Sequence, residues 1–244
     1  VLDMARNSFD DRYQGCRRMM EEELEELNRT EFNNNKVYAT AWTLASDTWR
    51  SQQSRVPQPP VLLPPNQAIA LLAYTMQDPL YQAFNAAVRE AGRSHKEYLH
   101  NFHFKVLHFL LSEALRALRD AQPHRCHDVY RGVQGIRFAT QHHQSIRFGQ
   151  FTSTSLEINT MERFGQDTIF SVQTCYGVPI GRFSFFPGEE EVLIPPFEVF
   201  EVTNVTRKRD STVIQLRAQD TLSTYNCEFV KERRCKNRPC VFSA

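Results

Sequence analysis

Three consecutive glutamates, Glu189–Glu191, lie in the segment FSFFPGEEEVLIPPF, between an aromatic turn and a short apolar run. A run of glutamates is commonly a solvated loop. Here, however, Val192–Ile194 favour a β-strand, which the two following prolines would end. If that strand begins at the glutamates, Glu189 and Glu191 point to one face and Glu190 points to the other. Carboxylates side by side repel, which raises their affinity for a proton or a cation, so the pattern predicts a functional pair.

Two further polar features interrupt apolar segments of the same half of the chain. They are Arg131 with Gly132 in VYRGV, and the hydroxyl run Ser153–Ser155 in FTSTS. Each has an ordinary structural explanation, because strand arginines are commonly edge residues or members of ion pairs. Together with the glutamates they suit a nucleotide. A guanidinium grips a diphosphate, a glycine admits a planar ligand to the backbone, and a carboxylate stabilises an oxocarbenium-like sugar.

The elements that must position these residues divide the chain into a helical first half and a β-rich second half. A proline-rich segment, residues 56–66, interrupts the helical half, and Asp78 is the predicted N-cap of the helix that follows it. Apolar residues at helical spacing predict four helices in all, within residues 17–32, 35–55, 78–92 and 101–120.

After Cys126 the pattern changes to short alternating or apolar segments separated by turn residues. The predicted strand segments are DVYRGV, SIRFGQFTSTS, DTIFSVQTC, EVLIPPFEVFEVTNV, STVIQLRAQ and YNCEFV. We therefore predict an α+β fold, in which a mainly helical lobe (1–122) packs on a mainly antiparallel β lobe (123–244) within one domain, 1–244.

Charge and hydropathy limit the partners of the chain. Its 29 basic and 28 acidic residues nearly balance, which gives no electrostatic reason to expect a nucleic-acid partner. No apolar run approaches the roughly 20 residues that cross a bilayer, so no transmembrane segment is predicted. The chain begins at Val1 without a signal peptide, so we expect processing or trimming at that end. A lipid-anchor signal after Ala244 stays open.

Six cysteines and two N-glycosylation sequons, at Asn28 and Asn204, favour a secreted or cell-surface protein with three disulfides. Six cysteines allow 15 pairings, and their spacing does not choose among them. Several histidines invite a metal-site interpretation, but no cysteine or carboxylate completes a site at the usual spacing, and no metal is predicted. These histidines are His100, His103 and His108, which we place near one another in a helix, and His142 with His143 in a loop.

In this order, YRGV, FTSTS and EEE resemble the R-S-E motif of the arginine-specific mono-ADP-ribosyltransferases of the toxin-like clade. The segments SFDDRYQGC, FNAAVREAG, KVLHFLL, SFFPGEEEVLIPPFE and STYNCEFVK extend the resemblance to the vertebrate cell-surface enzymes over nearly the whole chain. The most similar type is GPI-anchored and arginine-specific. The resemblance implies that NAD, and NADP, is a substrate rather than a bound cofactor.

The resemblance also implies a role for each motif residue. Arg131 would hold the NAD diphosphate, and the Gly132 backbone would bind the nicotinamide amide. Ser153 would support the nicotinamide ribose and Glu191. Glu191 would bind the ribose 2′-OH and stabilise the oxocarbenium ion. Glu189 would receive the acceptor arginine.

Further implications concern the surface and the cysteines. The turn FSFFPG would recognise the acceptor protein, with Phe185 or Phe186 exposed to it. Partners would be arginine-containing extracellular, surface or lumenal proteins, and the location would be the outer face of the cell membrane, the ER lumen or the medium. The implied disulfides are Cys16–Cys227 and Cys126–Cys175, which leave Cys235 and Cys240 as a local bridge.

Two other functions remain open at this point. An NAD glycohydrolase would need the same Arg131, Ser153 and Glu191, with water in place of arginine, although Glu189 favours transfer. A surface-binding module that has lost catalysis is the other possibility, and the intact motif residues argue against it.

Overall fold

The computed structural model describes residues 2–53, 63–76, 79–160 and 167–242. Within these ranges, six helices occupy the first half; four fall on the predicted segments, and two, at residues 65–75 and 95–101, were not predicted. The first-half helices are α1 (Arg17–Asn34), α2 (Lys36–Gln53), α3 (Pro65–Thr75), α4 (Leu80–Ala91), α5 (His95–Asn101) and α6 (Lys105–Asp120). Most of the predicted proline-rich linker, residues 56–62, and the predicted N-cap Asp78 lie outside the described residues.

The apolar stripe of α4 is buried, and the helix ends at a glycine. Leu80, Phe84 and Val88 are inaccessible to solvent, which agrees with their spacing on one helix face. Gly92 follows the helix, and a Cβ built there would lie 2.1 Å from the carbonyl oxygen of Ser8. Only a residue without a side chain allows this approach, so Gly92 is needed for packing as well as for ending the helix.

The second half forms one eight-stranded sheet within the described residues. Its strands are β1 (His127–Val133), β2 (Ser145–Ile146), β3 (Thr152–Ser155), β4 (Thr168–Thr174), β5 (Val178–Pro179), β6 (Glu191–Ile194), β7 (Glu198–Arg207) and β8 (Thr212–Thr221). The order across the sheet is β2-β7-β8-β4-β1-β3-β6-β5. The β4–β8 pair is parallel and the other neighbours are antiparallel. The α+β fold class, with a mainly antiparallel sheet, is therefore confirmed.

Compact units divide the chain differently from the predicted lobes. One unit contains residues 1–5 and 115–222, which include the sheet, and the other contains residues 6–114 and 223–244. The predicted boundary at 122–123 assigned the last residues to the β lobe. They join the helical unit instead, where Cys227 is bridged to Cys16. The bridges Cys126–Cys175 and Cys235–Cys240 lie within single units and match the pairs that the resemblance implies.

The prediction of a strand at YNCEFV is wrong. Cys227 has a left-handed backbone (φ 60°), and a helix, α7, runs from Glu228 to Arg234. The carboxylate of Asp11 accepts hydrogen bonds from the backbone N–H groups of Cys227 and Glu228, both at 2.9 Å. It satisfies N–H groups that the first turn of a helix leaves unpaired. The cap comes from the other end of the chain, which a local pattern cannot reveal.

The prediction that His100, His103 and His108 lie near one another in one helix is wrong. His100 lies in α5, His103 follows that helix and His108 lies in α6, so the three do not share one helix. His108 is buried, with Nδ1 2.7 Å from the Tyr13 hydroxyl and Nε2 3.1 Å from the Phe9 carbonyl oxygen. In the part of the chain that the structure describes, no three His, Cys, Asp or Glu side chains are arranged to hold a metal ion.

None of the described helices combines the length and apolarity that a bilayer crossing requires.

Candidate active site

The registered pairing between β1 and β3 is short beside the predicted nucleotide-binding residues. Strand β1 pairs with β4 along all seven of its residues. On its other edge, the registered pairing with β3 in the described chain is limited to Tyr130 with Ser155. Arg131 and Gly132 follow Tyr130 directly, so they lie where β1 and β3 are no longer in register. A backbone edge that leaves its neighbour can bind a ligand, and a glycine there allows close approach.

Arg131 is oriented by the neighbouring strand. Its Nη1 donates a hydrogen bond of 2.8 Å to the backbone carbonyl of Ser153 in β3, and the side chain is half-buried. This contact fixes the planar guanidinium against β3. A guanidinium held in this way is suited to a diphosphate, because it presents its N–H groups in a rigid plane.

Glu191 is the buried carboxylate of the site. It is the first residue of β6, pairs in register with Ser155 of β3, and is 8% exposed. Burial raises the pKa of Glu191 above its ordinary value, and the charge of Glu189 raises it further. Hydrogen bonds from the Ser153 and Ser184 hydroxyls, and the charge of Arg131, act in the opposite direction and lower that pKa. The predicted residues Arg131, Ser153 and Glu189 therefore all act on Glu191.

The expected strand alternation of the glutamates does not occur. Pro187–Glu189 form a 3-10 turn, Glu190 has a left-handed backbone (φ 47°), and the strand begins only at Glu191. The turn is tied to the end of β3, since the Ser155 hydroxyl donates to the Glu189 carbonyl at 2.9 Å. Glu189 and Glu191 do interact, as predicted, but through this turn rather than through a shared strand face.

The two phenylalanines of the predicted acceptor turn are exposed. Phe185 is 40% and Phe186 is 38% accessible, and their ring centroids lie 5.3 Å apart in a T-shaped arrangement. Aromatic side chains of this size normally contribute to a core or an interface. Their exposure next to Glu189 fits a surface that meets another molecule.

Ser184 is a residue of the site that the sequence analysis missed. It is buried, its hydroxyl lies 3.5 Å from Oε2 of Glu191, and it accepts a hydrogen bond of 3.0 Å from the Phe186 N–H. It thereby connects the aromatic turn to the buried carboxylate. A lone serine within the aromatic segment FSFF is the signal that could have identified it, because a small polar residue there needs a partner.

The hydroxyl run of β3 serves three different purposes. Ser153 bonds Glu191, Thr154 donates to the Val192 carbonyl at 2.7 Å, and Ser155 holds Glu189. Only the first of these acts on the buried carboxylate. The other two fix strand β6 and the turn before it, which positions both glutamates.

The fold and the site define an α+β protein in which a guanidinium oriented by β3, a glycine at the end of the β1–β3 pairing and a buried carboxylate lie on neighbouring strands. These residues fit the diphosphate, the planar ring and the ribose of a nicotinamide dinucleotide. Residues 2–224 match the family model described as NAD:arginine ADP-ribosyltransferase. The chain belongs to this family.

Individual relatives agree with the family assignment. The erythroblast NAD(P)(+)–arginine ADP-ribosyltransferase of Gallus gallus is 58% identical over all of this chain and 81% of its own length. The human GPI-linked NAD(P)(+)–arginine ADP-ribosyltransferase 1 is 51% identical over 98% of this chain and 77% of its own. A mutant of the eukaryotic mono-ADP-ribosyltransferase ART2.2, crystallised in complex with NAD, superposes with a TM-score of 0.78 at 37% identity, covering 93% of this chain and 97% of its own.

Proposed function

We propose that this chain is a mono-ADP-ribosyltransferase that moves ADP-ribose from NAD to arginine side chains of proteins and releases nicotinamide. The observation that carries this proposal is the buried Glu191, bonded by Ser153 and influenced by both Arg131 and Glu189. Membership of the NAD:arginine ADP-ribosyltransferase family supports it.

The NAD side of the site is assigned to three groups. Arg131 holds the diphosphate, with its guanidinium oriented by the Ser153 carbonyl. The backbone of Gly132, two residues after the last registered β1–β3 pair, binds the nicotinamide amide. Ser153 supports the ribose and keeps Glu191 more acidic than burial alone would allow.

Glu191 stabilises the sugar cation as the bond to nicotinamide breaks. Nicotinamide is cationic in NAD and leaves as a neutral molecule, so the step needs no general acid. A buried carboxylate beside the ribose stabilises the positive charge that develops on the ring. Its low exposure strengthens this interaction, because charges attract more strongly where water is excluded.

Glu189 prepares the acceptor. An arginine guanidinium has a pKa above about 12 and is a poor nucleophile while protonated. A carboxylate beside it positions one nitrogen towards the ribose carbon and helps to remove the proton. A carbon–nitrogen bond then forms, and the displaced proton leaves through Glu189. Phe185 and Phe186, exposed in the same turn, contact the acceptor protein.

The proposed setting is the outside of the cell. Three disulfides fit an oxidising compartment, and the human relative is named as GPI-linked. Asn204 is exposed on β7, which suits a glycan. Asn28 is partly buried in α1 and accepts a 2.6 Å hydrogen bond from the Tyr38 hydroxyl. We assign the catalytic domain to residues 1–244, arginine-containing surface proteins as acceptors, and NADP as an alternative donor.

The test is turnover of labelled NAD with agmatine, a small arginine analogue, as acceptor. We expect Glu191→Gln to lose both agmatine labelling and NAD cleavage by about 100-fold or more. Glu189→Gln should lose labelling and keep NAD cleavage by water. Glu190→Gln is the matched control, because Glu190 is exposed and its neighbours carry the assigned roles; it should retain both activities.

Other outcomes distinguish the alternatives. Wild-type protein that cleaves NAD without labelling agmatine would be a glycohydrolase or would use a different acceptor. Protein that neither binds nor cleaves NAD would be a binding module, and the assignment of catalysis to Glu191 would be wrong. Equal losses in the Glu189 and Glu190 variants would remove the special role of Glu189.

A further inference from the structure

Exposed apolar side chains in the sheet-containing unit are concentrated in two segments that are bonded to the turn of Glu189 and Glu190. Six large apolar residues of that unit are exposed among those described, namely Ile136, Leu156, Ile158, Phe185, Phe186 and Leu222. Four of the six lie in two short segments, residues 156–158 and 185–186. Single exposed apolar residues are common, but clusters rimmed by polar groups mark sites of interaction.

Backbone hydrogen bonds bring these two segments to the same turn. The N–H of Leu156 donates to the Glu190 carbonyl at 3.1 Å, next to the bond from Ser155 to the Glu189 carbonyl. The N–H of Glu189 donates to the Phe186 carbonyl at 3.2 Å. The backbone of Glu189 therefore lies between the segment that carries Leu156 and the segment that carries the phenylalanine pair.

The exposure in the 156–158 segment is substantial. Leu156 is 37% and Ile158 is 54% accessible, and they are separated by the exposed Glu157. The Ser155 hydroxyl accepts a hydrogen bond of 3.1 Å from the Glu157 N–H, which orders the start of this segment. Because this apolar segment near Glu189 is already ordered, covering it with a ligand costs little conformational entropy of the protein.

We infer that Leu156 and Ile158, with Phe185 and Phe186, form a docking surface for an acceptor polypeptide whose target arginine is flanked by apolar residues. This inference rests on the proposed function, because it takes Glu189 as the group that receives the arginine. Three carboxylates, Glu157, Glu189 and Glu190, accompany the apolar side chains. Their charge favours a cationic segment over an acidic one.

The geometry of a polypeptide explains why flanking residues matter. In an extended chain, each residue advances by about 3.3 Å and alternate side chains share a face. Side chains two positions before and after the arginine therefore lie about 7 Å along the acceptor from it. An arginine that reaches Glu189 brings such neighbours over the surfaces on either side of the turn. Agmatine has no flanking residues and cannot use them.

The experiment compares three acceptors with the wild-type protein. They are agmatine, a peptide with one arginine among glycine and serine residues, and the same peptide with leucine two positions on each side of the arginine. We expect the leucine peptide to have a kcat/KM about tenfold higher than the glycine–serine peptide, as for other partial burials of one or two apolar side chains. Equal kcat/KM values for the two peptides would overturn the inference.

Variants identify the surface responsible. The double change Leu156→Ser with Ile158→Ser should remove most of the advantage of the leucine peptide and leave agmatine turnover unchanged. Ile136→Ser and Leu222→Ser are matched controls, since these residues are exposed in the same unit but outside both segments. They should keep the advantage. Leu156→Met with Ile158→Met should keep it as well, because methionine restores the apolar area.

The controls separate this inference from the proposed function. If the double serine variant loses agmatine turnover in proportion to peptide turnover, the segment supports the catalytic site itself and the docking role is wrong. If the control variants lose the leucine advantage equally, general surface apolarity is the cause and the assignment to Leu156 and Ile158 is wrong. Failure of wild-type protein to label agmatine would instead refute the arginine-transfer function.

Discussion

Removing the buried His108 tests how the helical unit responds to pH. Burial lowers the pKa of His108 from 6.5 to about 4. The ring is enclosed, with contacts from Tyr13 and from the carbonyl of Phe9. Because the folded-state pKa lies below the unfolded one, the unfolded state binds more protons between these two values. The stability that neutral His108 allows is therefore present above pH 6.5 and is lost as pH falls towards 4.

The expected magnitude follows from the two pKa values. When the pH falls from 7 to 5, protonation of His108 in the unfolded state lowers the free energy of unfolding by about 2 kcal/mol. The change His108→Gln removes the titrating ring while keeping a side-chain N–H that can donate to the Phe9 carbonyl. We expect the variant to be less stable than wild type at pH 7, and the difference to shrink by about 2 kcal/mol at pH 5.

The assay is urea unfolding with the disulfides intact, followed by tryptophan fluorescence at pH 7, 6 and 5. Both tryptophans, Trp42 and Trp49, lie in α2, so the signal reports on the helical unit. The difference between variant and wild type is the useful quantity. The pKa values of buried Asp11 and Glu31 are raised to about 6 and about 7. Their protonation therefore stabilises both proteins as the pH falls, and this contribution cancels in the difference. A difference that does not change with pH would refute the reasoning.

Two more predictions concern the catalytic carboxylate and a tight backbone contact. In wild type, the hydrogen bond from Ser153 lowers the pKa of Glu191. Ser153→Ala removes this bond, so the pKa of Glu191 should rise and the acid limb of the pH profile of NAD cleavage should move to higher pH. An unchanged profile would contradict that contact. Gly92→Ala should destabilise the protein by about 2 kcal/mol or more, since its Cβ would meet the Ser8 carbonyl. Gly188→Ala, which meets no atom within 4 Å, is the control in the same thermal unfolding measurement.

The parts of the fold that depend on neighbouring residues could be predicted from the sequence. The alternation in TIFSVQT predicts a half-buried strand, and β4 has alternating burial along its length. Helix α5 was missed although its start is signalled locally. The segment SHKE has a serine three residues before a glutamate, and the Ser94 hydroxyl accepts the Glu97 N–H at 3.0 Å.

The parts that depend on distant residues could not be predicted. The helix at Glu228 begins where Asp11 supplies acceptors from more than 200 residues away. The positions of Glu189 and Glu190 depend on a left-handed backbone at Glu190 and on the hydroxyl of Ser155. Glutamate rarely adopts that conformation unless its surroundings impose it. Neither signal is present in the local residue pattern.

Cys16 is synthesised long before Cys227, the cysteine to which it is bridged. The two residues are 211 positions apart, so the first thiol waits roughly 10–40 s for its partner at ordinary rates of translation. During that interval Cys126 and Cys175 emerge, and either can capture it. A Cys16 thiol captured in this way reaches its native bridge by thiol–disulfide exchange, and the Cys16–Cys227 bridge closes only after Cys227 has been made.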